Sequence, residues 1–289
     1  VTITVIVVAA GQVVDAYNAR RGPVLTVTFL DVGQGDAVLV ETPDGRTMLI
    51  DGGPRSPFWD AGASIVVPHL KHRGIDRLDL VVATHPDSDH LGGLPAVFEA
   101  VSVGKFMHSG RVASTDLFAE SREVLDRRFI PHRPVAAGDT LDLGPHVAVE
   151  VLGPPPGRMS ATWSENDASV VIALTYGATQ ILLPGDVEEN GEQWLVRTFA
   201  DKLDAHVVKV AHHGSATSSS LPFVRAAVPD SVPDALAVIP VGRRNRFGMP
   251  VPDVVTRWQN SGAKLLRTDL DGAVRVVSDG ETVSATTML

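Results

Sequence analysis

Six residues constrain this chain more than any others: His85-Pro86-Asp87-Ser88-Asp89-His90. An apolar run, Leu78 to Ala83, leads into them, and Gly92-Gly93 closes them off. A short apolar run bounded in this way reads as a buried strand, so the polar loop sits at a strand end. Packing does not explain two imidazoles and two carboxylates in so short a loop. A helix cap is the plain alternative, but a cap needs one aspartate. In an extended segment alternate side chains share a side, so His85, Asp87 and Asp89 are expected to project together and His90 elsewhere. One such cluster suits two cations about 3.5–4 Å apart.

Composition bounds the rest. With 289 residues the chain can form one large domain or two small ones. Apolar residues at 44% and charged residues at 20% describe an ordinary globular protein. Valine is abundant and aromatics stand at 5%, which leans toward buried strands. The absence of cysteine excludes disulfides, thiolate zinc sites and a cysteine nucleophile. A net charge of −9 argues against a protein that coats nucleic acid. It leaves a nuclease open, because metal ions and a local basic patch neutralise phosphates. Arg243, Arg244 and Arg246 form the candidate DNA-binding patch; a solvated loop is the other reading.

Val1 to Val14 is almost wholly apolar and is followed by Arg20-Arg21. The run is too short for a bilayer, which takes about 20 residues. Residues 1–22 are read as the remnant of a transmembrane helix and a linker, with an element of the domain itself as the alternative. Residues 23–289 are read as one domain.

Period-two alternation predicts a strand over Leu25–Leu30, and the turn signal Pro43-Asp44-Gly45 predicts a hairpin of Ala37–Glu41 with Arg46–Ile50. A helix is predicted over Ala61–His72, then strand Leu78–Ala83, helix Leu94–Val101, strand Val103–Met107 and helix Thr115–Arg127. The second half repeats the theme. A hairpin (Ser169–Thr175, Thr179–Leu183) precedes helix Glu188–Phe199, strand His206–Val210, strand Ala235–Pro240, helix Pro252–Asn260 and three closing strands. Antiparallel hairpins followed by alternating strands and helices, twice over, predict an α/β fold: an αββα four-layer sandwich with two sheets face to face and helices outside. Its strand-end loops would converge on one edge.

Those loops carry the remaining candidates. Asp186 follows the apolar strand and Gly185, and is the candidate bridging carboxylate; a helix N-cap is its plain reading. His212-His213 ends another strand. In extended chain the two point opposite ways, so one is expected to bind metal and the other to meet substrate oxygen, without a choice between them. Gln34 and Asp36 sit in the turn Gly33-Gln34-Gly35-Asp36, where Asp36 is read as orienting a metal-binding histidine.

The order of these motifs resembles that of the metallo-β-lactamase superfamily: an Asp motif, His-x-His-x-Asp-His, a further His, a bridging Asp and a last His. More narrowly, Phe29-Leu30-Asp31-Val32-Gly33-Gln34-Gly35-Asp36-Ala37, Leu49-Ile50-Asp51-Gly52-Gly53, Asn166-Asp167-Ala168-Ser169 and Val208-Lys209-Val210-Ala211-His212-His213-Gly214-Ser215 resemble the C-terminal hydrolase domain of the ComEC family, the DNA-uptake channels of competent bacteria. In that family the second motif histidine is typically aspartate, as Asp87 is here. Asn166 stands where the superfamily has its further histidine. Met249 stands where ComEC relatives often carry a histidine, and methionine neither transfers a proton nor ligates a hard ion well.

The resemblance implies two divalent metal ions held by His85, Asp87, Asp89, His90, Asp186, His212 or His213, and Asn166. Asp89, Asp186 and His213 are the expected catalytic residues. A ligand set with more oxygen and less imidazole than a dizinc site favours Mn²⁺, with Zn²⁺ or Mg²⁺ as alternatives. The implied activity is hydrolysis of DNA phosphodiesters, degrading the non-transported strand during uptake. The implied partners are single-stranded DNA, a preceding transmembrane channel domain and other competence proteins. An extracytoplasmic, membrane-attached location follows from that role, although Arg20-Arg21 lean the other way. Hydrolysis of another phosphodiester, such as a phosphocholine-bearing polymer, and a non-catalytic DNA-guiding domain are the alternatives.

Overall fold

The computed structural model describes residues 22–157 and 163–288. The membrane-helix expectation falls on residues 1–21, outside the described residues. Among the described residues no helix is long and apolar enough to cross a membrane.

Two sheets carry the fold. The eight-stranded sheet runs in the order Val283–Met288, Ala273–Ser278, Leu25–Phe29, Val38–Glu41, Thr47–Ile50, Arg77–Ala83, Ser102–His108, His132–Pro134. The six-stranded sheet runs Lys264–Arg267, Leu236–Ile239, Val207–Lys209, Thr179–Leu183, Val171–Tyr176, Ala148–Gly153. Each sheet has antiparallel strands on one side and parallel strands on the other.

Alternation along the strands sorts side chains into layers. Met48 and Ile50 face the six-stranded sheet and pack with Ile172, Leu183 and Val238, whereas Leu49 between them packs under the helices with Leu70, Leu94 and Phe98. On the far side Leu182, Val208 and Ile239 pack beneath Phe223 and Trp258. Three apolar layers between helices, sheet, sheet and helices make the four-layer αββα sandwich expected from the sequence. A fully buried side chain of this size contributes about 1.5–3 kcal/mol, so the layers rather than any one contact hold the sheets together.

Strand His132–Pro134 and helix Leu221–Ala227 were not expected, and three further differences bear on the site. The helix expected over Ala61–His72 opens with a π-helical segment, Gly62–Val66, before the α-helix Val67–His72. Pro68 has no N–H to give to the preceding turn, and Gly62 sits against Gly93, where a Cβ would meet the Gly93 carbonyl oxygen at 2.0 Å. The last two strands form a hairpin that leaves the C-terminal half and pairs with Leu25–Phe29. The metal-like loop is not extended: Ser88–Leu91 is a helical turn with Asp87 at its N-cap position. The predicted alternation of His85, Asp87 and Asp89 therefore does not hold.

Candidate metal centre

Parallel strands bring their C-terminal ends to one edge, and that edge carries the site. Asp51 follows Thr47–Ile50, His85 follows Arg77–Ala83, Asp186 follows Thr179–Leu183, His213 follows Val207–Lys209, and Pro240 follows Leu236–Ile239. Asp36 enters from the glycine turn, whose backbone N–H donates to the Asp89 carbonyl. A Cβ on Gly35, at φ +141°, would lie 2.2 Å from that same carbonyl oxygen, so this turn requires glycine.

Asp186 is the hub. Its Oδ2 lies 3.1 Å from His90 Nε2 and 3.2 Å from His213 Nε2, and its Oδ1 accepts from Lys209 Nζ at 2.8 Å. Asp89 Oδ2 stands 3.5 Å from His213 Nε2. The far ring nitrogens are tied down. His90 Nδ1 donates to Asp51 Oδ2 and His213 Nδ1 to the Pro240 carbonyl, each at 2.8 Å. Asp51 also accepts from the Thr84 N–H and hydroxyl. Both Nε2 atoms are thus turned toward Asp186. They face its oxygen at ion-pair distance but without hydrogen-bond alignment, and remain buried without a hydrogen-bond partner. One ligand atom each from Asp89, His90, Asp186 and His213 lies within 4.8 Å of all the others. Converging, unpartnered imidazole nitrogens, each oriented from behind, fit a divalent cation.

The surrounding carboxylates make the pocket favour positive charge, carried by imidazole protons that a cation would replace. Burial alone lowers the pKa of both histidines, but the surrounding carboxylates, Asp186 first, outweigh it: His90 is raised well above its ordinary value and His213 to about 10. Burial alone would raise Asp186; His213, His90 and Lys209 hold it well below the usual carboxylate range. His85 has the opposite fate. Burial, with His90 nearby, pushes it down to about 3, leaving a neutral imidazole.

The other sequence-predicted residues occupy four places. His85 and Asp87 lie beside the cluster, with His85 Nε2 3.8 Å from Asp87 Oδ2 and the Asp87 side chain half exposed. His212 and Asn166 face each other across 3.5 Å, and His212 Nδ1 is near Thr217 and Glu188. His212 and His213 both adopt left-handed backbone, at φ 50° and 53°. The expectation of opposite projection from extended chain is therefore replaced by a tight turn, which buries His213 and leaves His212 nearer solvent. Such backbone costs about 1–3 kcal/mol per residue. Asp36 lies 3.5 Å from His213 Nδ1 but pairs directly with Lys209. Gln34 turns away from the cluster: its Oε1 accepts from Gly242 N–H at 3.2 Å, and its Nε2 lies 3.7 Å from Met249 Sδ. Arg243, Arg244 and Arg246 are exposed on that same loop; Arg243 Nε donates to the Asp269 carbonyl and Arg246 lies over Phe247.

The family model of the metallo-β-lactamase superfamily matches residues 30–231. The chain belongs to that superfamily. It is a metal-dependent hydrolase of the superfamily's fold, and its curated relatives narrow the resemblance as the motifs predicted. It is 34% identical over 250 residues to competence protein ComA of Neisseria gonorrhoeae, covering 86% of this chain and 32% of the relative. It is 29% identical over 262 residues to ComE operon protein 3 of Bacillus subtilis, again with 86% and 32% covered. The chain thus spans about a third of the length of the curated relatives it matches. Among solved structures, the metallo-β-lactamase fold protein YhfI from Bacillus subtilis superposes with a TM-score of 0.50 at 12% identity, covering 85% of this chain and 96% of its own, which speaks to fold alone.

Within this superfamily frame, two residues at the centre were not singled out from the sequence: Lys209 and Asp51. Lys209 is 1% exposed, one charge in the apolar run Val207-Val208-Lys209-Val210. A charge there is costly unless paired, and that was its signal. Asp51 ends a buried strand before Gly52-Gly53 and adopts φ 60°, a backbone that aspartate tolerates better than most residues.

Proposed function

We propose that this chain is a dinuclear phosphodiesterase that hydrolyses DNA, with Asp186 shared between two divalent ions and Mn²⁺ favoured. The observation that carries the reading is the convergence of His90 Nε2 and His213 Nε2 on one oxygen of Asp186, with Asp89 alongside. Asp89, His90, Asp186 and His213 would hold one ion; His85, Asp87 and Asn166, with Asp186, would hold the other. Bound there, divalent ions supply Lewis acidity, polarising the phosphoryl group and making water acidic enough to attack near neutral pH.

The chain's own residues do the rest. Asp51 and the Pro240 carbonyl keep two imidazoles aimed inward. Lys209 fixes the rotamer of Asp186 from behind. His212, held at Nδ1 by Thr217 and Glu188, would turn Nε2, which faces the Asn166 amide across 3.5 Å, to a substrate oxygen. Arg243, Arg244 and Arg246 lie on a loop tied to the Asp36 turn through Gln34, where exposed guanidiniums can meet neighbouring phosphates. The similarity to competence proteins supports a role in DNA uptake: degrading the non-transported strand, on a membrane-attached protein with its hydrolase domain on the extracytoplasmic side, alongside a channel domain and other competence proteins.

The test is cleavage of single-stranded DNA by the purified chain with Mn²⁺, Mg²⁺, Zn²⁺ or EDTA, with Asp89→Ala as control. Metal-dependent cleavage lost in the variant is expected. DNA binding without cleavage under any metal points instead to a guiding domain. Cleavage restricted to small chromogenic phosphodiesters points to a different substrate.

A further inference from the structure

A cavity of about 300 Å³ lies beside the metal-binding cluster, and His85 belongs to the walls of both. The His85 ring is 4.1 Å, centroid to centroid, from that of His90. Aromatic rings stand among the cavity's apolar walls, beside Leu91, Val112 and Leu125. Phe106 and His108 stack at 5.6 Å and 27°, and Phe118 enters from the helix Asp116–Arg127. Two cations complete the lining. Arg111 is paired with Glu165; Arg122 is exposed and, among the described residues, has no carboxylate at salt-bridge distance. Nothing in the cluster's own chemistry requires this cavity.

We propose that the cavity takes the base of the nucleotide next to the phosphodiester held at the cluster. This rests on the DNA-phosphodiesterase reading and names how that site would recognise nucleic acid. The volume is at the lower end for small-molecule cavities, enough for one ring system and not for a duplex. Every nucleobase has a π-face, so aromatic walls favour any base without reading sequence. Burial, reinforced by His132 and Arg122, pushes His108 down to about 4, so its ring is a neutral stacking surface at neutral pH. The unpaired Arg122 suits an adjoining phosphate and repels a quaternary ammonium head group. A base must leave its stack to enter, which selects single strands.

The experiment compares binding of thymidine 5′-monophosphate and deoxyribose 5-phosphate to the full chain in EDTA. Both carry the same phosphate, so the difference reports the base alone. The nucleotide should bind roughly tenfold tighter, the scale of one base–aromatic stack. Phe118→Ala should remove most of that difference. Should Phe118→Ala fold poorly, Phe118→Leu, which keeps apolar volume without a π-face, should still cut the nucleotide's advantage severalfold. Equal binding of the two ligands, or a preference unchanged in both Phe118 variants, overturns the proposal. A chain that binds the base yet cleaves no DNA overturns the nuclease reading instead, so the two failures are distinguishable.

Discussion

Lys209 Nζ lies 2.8 Å from Asp186 Oδ1, on the side of that carboxylate opposite the two imidazoles that face Oδ2. The ammonium also pairs with Asp36 and donates to the Gly185 carbonyl at 2.7 Å. A buried cation therefore holds the hub of the site whether or not a metal is bound. Burial alone would lower the Lys209 pKa, but Asp186 and Asp36 outweigh it and raise it, so the group stays charged. Lys209→Met leaves two buried carboxylates short of a partner and is expected to cost about 3–5 kcal/mol in urea unfolding with EDTA present. Adding Mn²⁺ should restore more stability to the variant than to the parent chain. An equal metal response in both would show that Lys209 does not share charge with the metal site.

Asp51 fixes His90 through a 2.8 Å contact at Nδ1. Asp51→Ala removes that acceptor and frees the ring to turn. Metal affinity, measured by competition with a chromophoric chelator, is expected to fall about 10- to 100-fold. An unchanged affinity would mean that packing alone orients the imidazole.

The two ion sites should not be equal. Asp89, His90, Asp186 and His213 form a mostly buried set, whereas Asp87 is half exposed and Asn166 faces His212. Titration followed by elemental analysis should find one ion retained through dialysis and a second lost. Asp87→His adds imidazole to the weaker site and should shift its preference toward Zn²⁺ by roughly tenfold over Mn²⁺.

His108 makes stability depend on pH. Its folded value of about 4 lies below the ordinary 6.5, so between these values the unfolded chain binds a proton that the folded chain refuses. Its contribution is full above pH about 6.5 and is lost as pH falls through about 4. The ring is partly open to solvent, and screening reduces the effect to about 1–2 kcal/mol. His108→Phe should flatten that part of the pH profile in urea unfolding measured from pH 4 to 7. Parallel profiles would assign the acid sensitivity elsewhere.

How far the sequence reached depended on the kind of signal each residue gave. The layers were legible because hairpins followed by alternating strands and helices, twice over, already imply two sheets face to face with helices outside. Asp186 and the pair His212-His213 stood out because each follows an apolar strand, but the strand pattern did not choose between the two histidines. Two things were not legible. The Asp87–Leu91 backbone coils into the helical turn that the cap alternative described, but the contact of His90 with Asp51 is long-range and leaves no local trace. The pairing of Ala273–Ser278 with Leu25–Phe29 joins segments far apart in sequence, and alternation says which face a strand buries but not which strand lies beside it.

That pairing has a mechanical side. Leu25–Phe29 is hydrogen-bonded to Ala273–Ser278 on one flank and to Val38–Glu41 on the other. Tension applied ahead of Leu25 would load both ladders along their length, so their bonds resist together in shear instead of opening one by one. A pull on that strand therefore meets two ladders at once, and the sheet does not unravel from its end.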